Sequence, residues 1–208
     1  MDYYQQLTVY GDQIRLERTM NSHTFVKWTE HNFNYIPYNT RKVGNRFGLS
    51  ITSLDGSMNG VPDLDSLGEY NKENSTSYSE MDFRSATLVF DQCKELQDII
   101  SPWKEYIGRS HVLKLNPGGF FPPHRDSRSL KINTFRLIVP LHNVCSPSVN
   151  FFIDNQLLNW DLGYLYFVNT AKMHYLFNAS YSPSYWIVFN VECNYESIEQ
   201  IFKNLTYK

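Results

Sequence analysis

Three residues of this sequence have side chains suited to holding a metal ion. His124 and Asp126 lie two positions apart in the run Pro122-Pro123-His124-Arg125-Asp126, and a second histidine, His174, follows further along the chain. Because alternate residues of an extended strand point to one face, His124 and Asp126 would direct an imidazole nitrogen and a carboxylate oxygen toward one point. Two histidines and one carboxylate are typical of non-haem iron(II) oxygenases, in which the ion keeps open positions.

A His-x-Asp triplet alone is a weak signal, because it also occurs by chance as a surface histidine beside a solvated aspartate. The flanking sequence strengthens it, since short apolar segments separated by turns predict β-strands. The predicted strands are 111–116, 134–141, 149–153, 164–168, 174–177 and 184–191. Many short strands at this spacing predict a mainly β fold, either a sandwich or a barrel.

Several features between His111 and Cys193 follow one another in a specific order. They are Pro123-His124-Arg125-Asp126, the strand 135–139 with Arg136 near its start, the turn Asp161-Leu162-Gly163 with the strand after it, His174, and Ser182-Pro183 before the last strand. In order and spacing, this set resembles the aspartyl/asparaginyl β-hydroxylase-like branch of the iron(II)- and 2-oxoglutarate-dependent oxygenases, which also contains bacterial proline hydroxylases. The resemblance covers a little under half of the chain.

The resemblance implies a double-stranded β-helix, a jelly-roll or cupin-like core, with a few flanking helices. It implies that His124, Asp126 and His174 bind Fe²⁺ and that 2-oxoglutarate is the co-substrate. The implied reaction uses molecular oxygen to hydroxylate an unactivated C–H bond of an amino acid or of a residue in a peptide or protein, and it decarboxylates 2-oxoglutarate to succinate. Zinc is the alternative metal for the same three ligands.

The sequence departs from this family at the residue expected to bind the far carboxylate of 2-oxoglutarate. The family usually has an arginine shortly after the distal histidine, where this chain has Ser184. Arg136 is the nearest basic residue of the predicted core, and its planar guanidinium suits either a bound carboxylate or a structural ion pair. Ser184 and Tyr166 would add neutral hydrogen bonds. Trp186 would lie near the co-substrate or pack in the core.

The length of the chain predicts one domain, 1–208, with a sizeable core, and the resemblance implies that it is an oxygenase domain. Aromatic residues make up 16% of the chain, which suits β structure, and the net charge of −2 indicates no basic surface for nucleic acid. No apolar segment has the length of a membrane span or the pattern of a signal peptide, so no membrane association is predicted. The three cysteines lack metal-site spacing, which predicts reduced thiols and a cytoplasmic location.

The predicted domain has three parts. Residues 111–193 would form the metal-binding jelly roll, with residues 1–110 and a C-terminal helix at 194–208 packed around it. The expected elements outside the core are strands at 6–10 and 14–18, a long loop at 55–79, a helix capped by Asp91, and the C-terminal helix capped by Asn194. The loop is interpreted either as a lid over the metal or as a surface excursion.

Two classes of function remain open at this point. The first is the oxygenase described above, and the second is a jelly-roll metal-binding or interaction module without oxygenase activity, which the missing arginine favours. A cupin-type isomerase or hydrolase would require more histidine ligands than the predicted core offers. Arg125 and Arg128 flank the metal motif and would either attract an acidic group of the substrate or be solvated.

Overall fold

A computed structural model of the protein describes residues 3–42, 44–126 and 132–206. This part of the chain forms two main antiparallel β-sheets with helices on the outside. Its strands are β1 (Gln13–Thr19), β2 (Ile36–Pro37), β3 (Arg46–Ser50), β4 (Thr52–Ser53), β5 (Ser85–Ala86), β6 (His111–Leu115), β7 (Phe120–His124), β8 (Thr134–His142), β9 (Val149–Ile153), β10 (Gln156–Leu157), β11 (Tyr164–Val168), β12 (His174–Asn178) and β13 (Ser184–Glu192).

The helices lie before and after the predicted core. They are α1 (Tyr3–Thr8), α2 (Ser22–Asn32), α3 (Leu67–Asn74), α4 (Leu88–Asp91), α5 (Lys94–Ile100) and α6 (Tyr195–Lys203), and 3-10 helices occupy Glu80–Asp82 and Ser101–Tyr106. Among the residues that the structure describes, no helix combines the length and the apolar character needed to cross a bilayer.

The order of the strands is that of a double-stranded β-helix. The larger sheet has the order β1-β11-β8-β13-β6-β3-β2, the smaller sheet has the order β10-β9-β12-β7, and β4 pairs with β5 separately. From β6 to β13 the chain passes back and forth between the two main sheets, which is the winding of a jelly roll. The predicted fold class is therefore confirmed, and the six predicted core strands match β6, β8, β9, β11, β12 and β13 to within one residue.

Two apolar layers hold the sheets in place. The inner face of the larger sheet carries Leu113, Ile138 and Trp186, which pack with Phe151 and Leu176 of the smaller sheet. The alternate residues of the same strands face the helices, because successive side chains of a strand point to opposite faces. This outer layer includes Val112, Leu137, Phe167 and Phe189 from the sheet and Phe25, Leu96 and Trp103 from the helices. Each fully buried large side chain contributes about 1.5–3 kcal/mol to stability.

A turn at Gly163 sets the start of β11. Gly163 has φ of 78°, and a Cβ atom at this position would lie 2.3 Å from the backbone oxygen of Met20. Both the left-handed backbone and the close approach exclude a larger residue. The amide of Gly163 donates to Pro140 O, and its carbonyl accepts from Met20 N, so the turn is tied to β8 and to the segment that leads into α2.

Two expected elements near the N-terminus are corrected by the structure. The segment predicted as a strand at 6–10 is the end of α1, in which Tyr4 and Leu7 are buried one helical turn apart, while Val9 and Tyr10 are exposed. The predicted loop at 55–79 contains α3. Of the residues of α3, only Leu67 is buried, so the segment has no amphipathic stripe in the sequence. Arg41 and Lys42 stabilise α3 instead, through ion pairs with its residues Glu73 and Glu69.

The helix predicted to begin at Asp91 is divided. Asp91 is the last residue of α4, and α5 begins after Cys93. The prediction for the C-terminus is confirmed, because α6 begins after Asn194, whose side chain accepts a hydrogen bond of 2.8 Å from Ser197 N. This bond satisfies one of the free amides at the helix start.

Candidate metal centre

The register of two neighbouring strands places the two histidines side by side. His124 ends β7, His174 begins β12, and the two residues are direct partners across this antiparallel pair. Their ring centroids are 4.2 Å apart. Asp126 follows β7 by two residues, and candidate ligand atoms of all three side chains lie within 4.8 Å of one another. The structure thus brings together the three residues that the sequence pattern singled out.

Backbone carbonyls orient both imidazole rings. Nδ1 of His124 lies 2.7 Å from Pro122 O, and Nδ1 of His174 lies 3.0 Å from Lys172 O. Because a carbonyl oxygen only accepts hydrogen bonds, Nδ1 carries the proton in each ring, and Nε2 keeps a free lone pair. The Nε2 atoms of His124 and His174 lie 3.4 Å and 3.6 Å from Oδ1 of Asp126. Metal-binding histidines are held in this manner, so the residues fit a metal ion.

Arg136 holds the other oxygen of the aspartate. Its Nε lies 3.1 Å from Oδ2 of Asp126, which leaves Oδ1 directed at the histidines. Burial alone would raise the pKa of Asp126, but the positive charge of Arg136 and the contacts with both histidines hold that pKa well below its usual range. Burial lowers the pKa of His174, so its ring is neutral near pH 7. A charged carboxylate and a neutral imidazole are the forms that bind metals.

A partly buried network of alternating charges extends from Asp126. The carboxylate of Glu80 accepts two hydrogen bonds from Arg109, of 2.7 Å and 2.8 Å, and one of 2.7 Å from Asn190. Arg136 lies between the two carboxylates, with its Nη2 3.9 Å from Glu80, and it also donates to the side-chain oxygen of Asn190. Burial opposes ionisation of Glu80, but Arg109 and Arg136 hold its pKa below the usual range.

Sequence reasoning missed Glu80 and Arg109. Glu80 follows the segment 55–79 and Arg109 precedes β6, in stretches without a motif, and only the fold brings the two side chains together. A charged pair in separate irregular segments leaves no periodic signal in a single sequence, so no pattern was available to find it.

A cavity in the jelly roll opens beside the three candidate ligands. Apolar side chains form most of its wall, namely Leu113, Phe121, Ile138, Phe151, Leu176 and Val188. Its polar lining consists of the charged network described above together with Tyr38, His111 and Thr170. The cavity therefore has a metal-binding end, an apolar middle and additional polar groups.

The structure places the predicted co-substrate residues differently from the metal ligands. Arg136 lines the cavity, but its nitrogen atoms face Asp126, Glu80 and Asn190. Ser184, Tyr166 and Trp186 are buried and do not line it. Their predicted contact with a co-substrate stays a prediction.

The three buried residues have partners within the protein. Nε1 of Trp186 donates to Oγ of Ser184 at 2.7 Å, and the Tyr166 hydroxyl accepts from Asp161 N at 2.9 Å.

Arg125, which follows His124, is exposed. Arg128 lies outside the described residues, so its predicted contact with substrate is not located.

Comparison with known proteins finds similarity in the fold. No protein-family model and no curated protein matches it. An oxidoreductase of the 2OG-Fe(II) oxygenase family from Burkholderia pseudomallei is similar over 92% of this chain and 89% of its own, with 13% identity and a TM-score of 0.50. A prolyl-4-hydroxylase from Pseudomonas putida covers 90% of this chain and 96% of its own, with 8% identity and a TM-score of 0.49. At such identity, the similarity to the Burkholderia protein shows a shared fold.

Proposed function

We propose that this protein is an iron(II)- and 2-oxoglutarate-dependent dioxygenase that hydroxylates a C–H bond of an amino acid or of a residue in a peptide or protein. The observation that carries the proposal is the convergence of His124 Nε2, His174 Nε2 and Asp126 Oδ1, three side chains that line a jelly-roll cavity. Two histidines and one carboxylate are the ligand set of non-haem iron(II) oxygenases. The fold shared with a Burkholderia protein described as a 2OG-Fe(II) oxygenase supports it.

Each part of the site has a role in this reaction. His124, Asp126 and His174 would hold the iron, which supplies the activation of oxygen and of 2-oxoglutarate. Arg136 is a positioning residue, because it fixes the aspartate through the oxygen that faces away from the histidines. The apolar wall excludes water from the reacting groups, which suppresses side reactions of activated species.

The charge of the cavity suits a dianionic co-substrate. Within the described lining, Arg109 and Arg136 offset Glu80 and Asp126. Burial, together with the charges of Arg109 and Arg136, lowers the pKa of His111 to about 3, so this ring is neutral. A divalent cation then leaves an excess of two positive charges in a poorly solvated space. Because opposite charges attract strongly where water is excluded, a dicarboxylate such as 2-oxoglutarate balances the site.

The test is production of succinate by the purified protein. Wild-type protein with Fe²⁺, 2-oxoglutarate and pools of amino acids or peptides is expected to form succinate, and chelation of the iron is expected to stop it. His174→Ala is expected to lose both iron binding and turnover. His142→Ala, which replaces an exposed histidine of β8, is the matched control and is expected to keep both. Full activity of His174→Ala would contradict the proposal.

The second candidate function is a jelly-roll module that binds metal or a partner without oxygenase activity. The serine at position 184, buried and bonded to Trp186, favours this candidate because it supplies no cation for a co-substrate. Metal binding by the wild type, combined with no succinate formation and no calorimetric signal for 2-oxoglutarate, would support the module over the enzyme.

A further inference from the structure

The cavity contains polar groups that the metal centre does not use. Tyr38 and His111 line it, with ring centroids 5.2 Å apart, and His111 is buried while Tyr38 is partly buried. Within the described part of the chain, Nδ1 of His111 is buried without a hydrogen-bond partner. The Tyr38 hydroxyl donates to no described residue either. Leaving a buried polar atom unpaired costs about 1–3 kcal/mol, so such atoms in a cavity indicate a ligand.

Side chains fill the interior of the barrel beyond Tyr38 and His111. His111 is in register with Val188 on β13, whereas Leu113 is in register with Trp186, one layer deeper. Trp186 packs edge-on against Trp160 and Phe151, with centroids 5.1 Å and 5.8 Å away, and its indole nitrogen is already bonded to Ser184. A ligand that extends inward from the metal therefore meets His111 and Tyr38 before it meets the closed layer.

Positive charge surrounds these two side chains. Burial raises the pKa of Tyr38 and lowers that of His111, and the charge of Arg109 opposes the first shift and adds to the second, while Glu80 and Asp126 act in the opposite sense. The guanidinium of Arg46 lies 5.6 Å from the centroid of the Tyr38 ring and 4.3 Å from that of Phe121. Arg46 is buried, makes no ion pair with a described acidic residue, and has an unpartnered Nε. The positive charges of Arg109 and Arg136 are balanced by Glu80 and Asp126, whereas that of Arg46 is not. Arg46 therefore favours binding of an anion in the cavity.

We propose that Tyr38 and His111 bind the second carboxylate of a 2-oxo dicarboxylic acid, and that they replace the basic residue missing at position 184. The proposal rests on the proposed function, since the 2-oxo end of the acid binds at the metal centre. The Tyr38 hydroxyl and one imidazole N–H donate to the carboxylate, while Arg46 and Arg109 supply the positive potential. The apolar wall contacts the methylene groups between the two ends.

The experiment compares two acids that differ in the second carboxylate. Protein loaded with Mn²⁺ is titrated by calorimetry with 2-oxoglutarate and with 2-oxobutyrate, which lacks that group. Tyr38→Phe keeps the ring and removes only the hydroxyl, and it is expected to weaken 2-oxoglutarate binding about 10-fold or more, as for a lost hydrogen bond to a charged group. Its affinity for 2-oxobutyrate and for Mn²⁺ is expected to stay unchanged.

A second variant and a control complete the design. His111→Phe is expected to produce the same selective loss, and its thermal unfolding shows whether it folds. Tyr181→Phe, at a fully exposed tyrosine, is the matched control and is expected to bind both acids like the wild type. Unchanged 2-oxoglutarate affinity in Tyr38→Phe, or an equal loss for both acids, would overturn this subsite alone. Wild-type protein that binds Mn²⁺ but neither acid would overturn the proposed function itself.

Discussion

Each candidate metal ligand has a partner that fixes its orientation. The carbonyls of Pro122 and Lys172 hold the two imidazoles, and Arg136 holds the outer oxygen of Asp126. Because these contacts exist in the protein alone, the ligands need little rearrangement to receive an ion. Pre-orientation of this kind raises metal affinity, since less conformational freedom is lost on binding.

The contact between Arg136 and Asp126 leads to a prediction about metal affinity. Arg136→Gln removes the charge that fixes Oδ2 of the aspartate, and we expect the affinity for Mn²⁺ or Co²⁺ to fall about 10- to 100-fold. Calorimetric titration of the metal measures this without any turnover. Arg125→Gln, at the exposed neighbouring arginine, is the control and is expected to bind metal normally. Equal affinities of the two variants would show that Arg136 is not a positioning residue.

At the level of elements, the segment 55–79 is docked onto the barrel near the site. Arg41 pairs with Asp65 and with Glu73, and Arg109 donates to Asp65 O at 2.7 Å. Arg109 also holds Glu80, so this segment and the charged network of the cavity share one anchor. The interpretation of the segment as a lid stays a prediction, but opening would have to break these contacts.

A buried acid in this segment predicts a dependence of stability on pH. Asp63 is 2% exposed, and burial raises its pKa to about 6, against an unfolded value near 3.8. The folded state therefore binds the proton more tightly, and its stability falls as pH rises from about 4 through 6. We expect Asp63→Asn to gain about 1–3 kcal/mol relative to wild type between pH 4 and pH 7.5.

Urea unfolding at several pH values between 4 and 7.5 measures this effect. Asp91→Asn, at an exposed position, serves as the control and is expected to follow the wild-type profile. A constant difference in unfolding free energy between Asp63→Asn and wild type across this pH range would show that Asp63 does not titrate as inferred.

At the scale of the whole molecule, the outer core connects the two ends of the chain with the barrel. The layer behind the larger sheet includes Tyr4 and Leu7 of α1, Leu137 and Phe189 of the sheet, and Ile201 of α6. From this continuous packing we infer that the described parts fold as one unit, while the single domain over 1–208 stays a prediction.

This dependence of the site on the fold predicts that metal stabilises the whole protein. The ligands meet only when β7 and β12 are paired, so the ion binds the folded state in preference to the unfolded chain. At about 100 times its dissociation constant, an ion adds about 2.7 kcal/mol, which raises Tm by about 5–10 °C for a chain of this size. Thermal unfolding with and without Mn²⁺ measures the shift. His124→Ala is expected to show none, and a shift equal to that of wild type would contradict the site.

The local patterns of the sequence were sufficient for the core strands, the metal motif and the cap of α6. The apolar runs of β8 and β13 consist of neighbouring residues in the chain, and the Asn194 cap bonds three residues ahead. These features can be predicted because the interactions that decide them are short in sequence.

Tertiary structure alone decided α1, α3 and the polar end of the cavity. The helix α3 makes ion pairs with Arg41 and Lys42 outside it, and Glu80 meets Arg109 through the packing of separate segments. Tyr38 and His111 come together because β2, β3 and β6 are neighbours in one sheet. Contacts between distant parts of the chain form only when the whole barrel has folded. They leave no periodic pattern in a single sequence, so they could not be predicted from it.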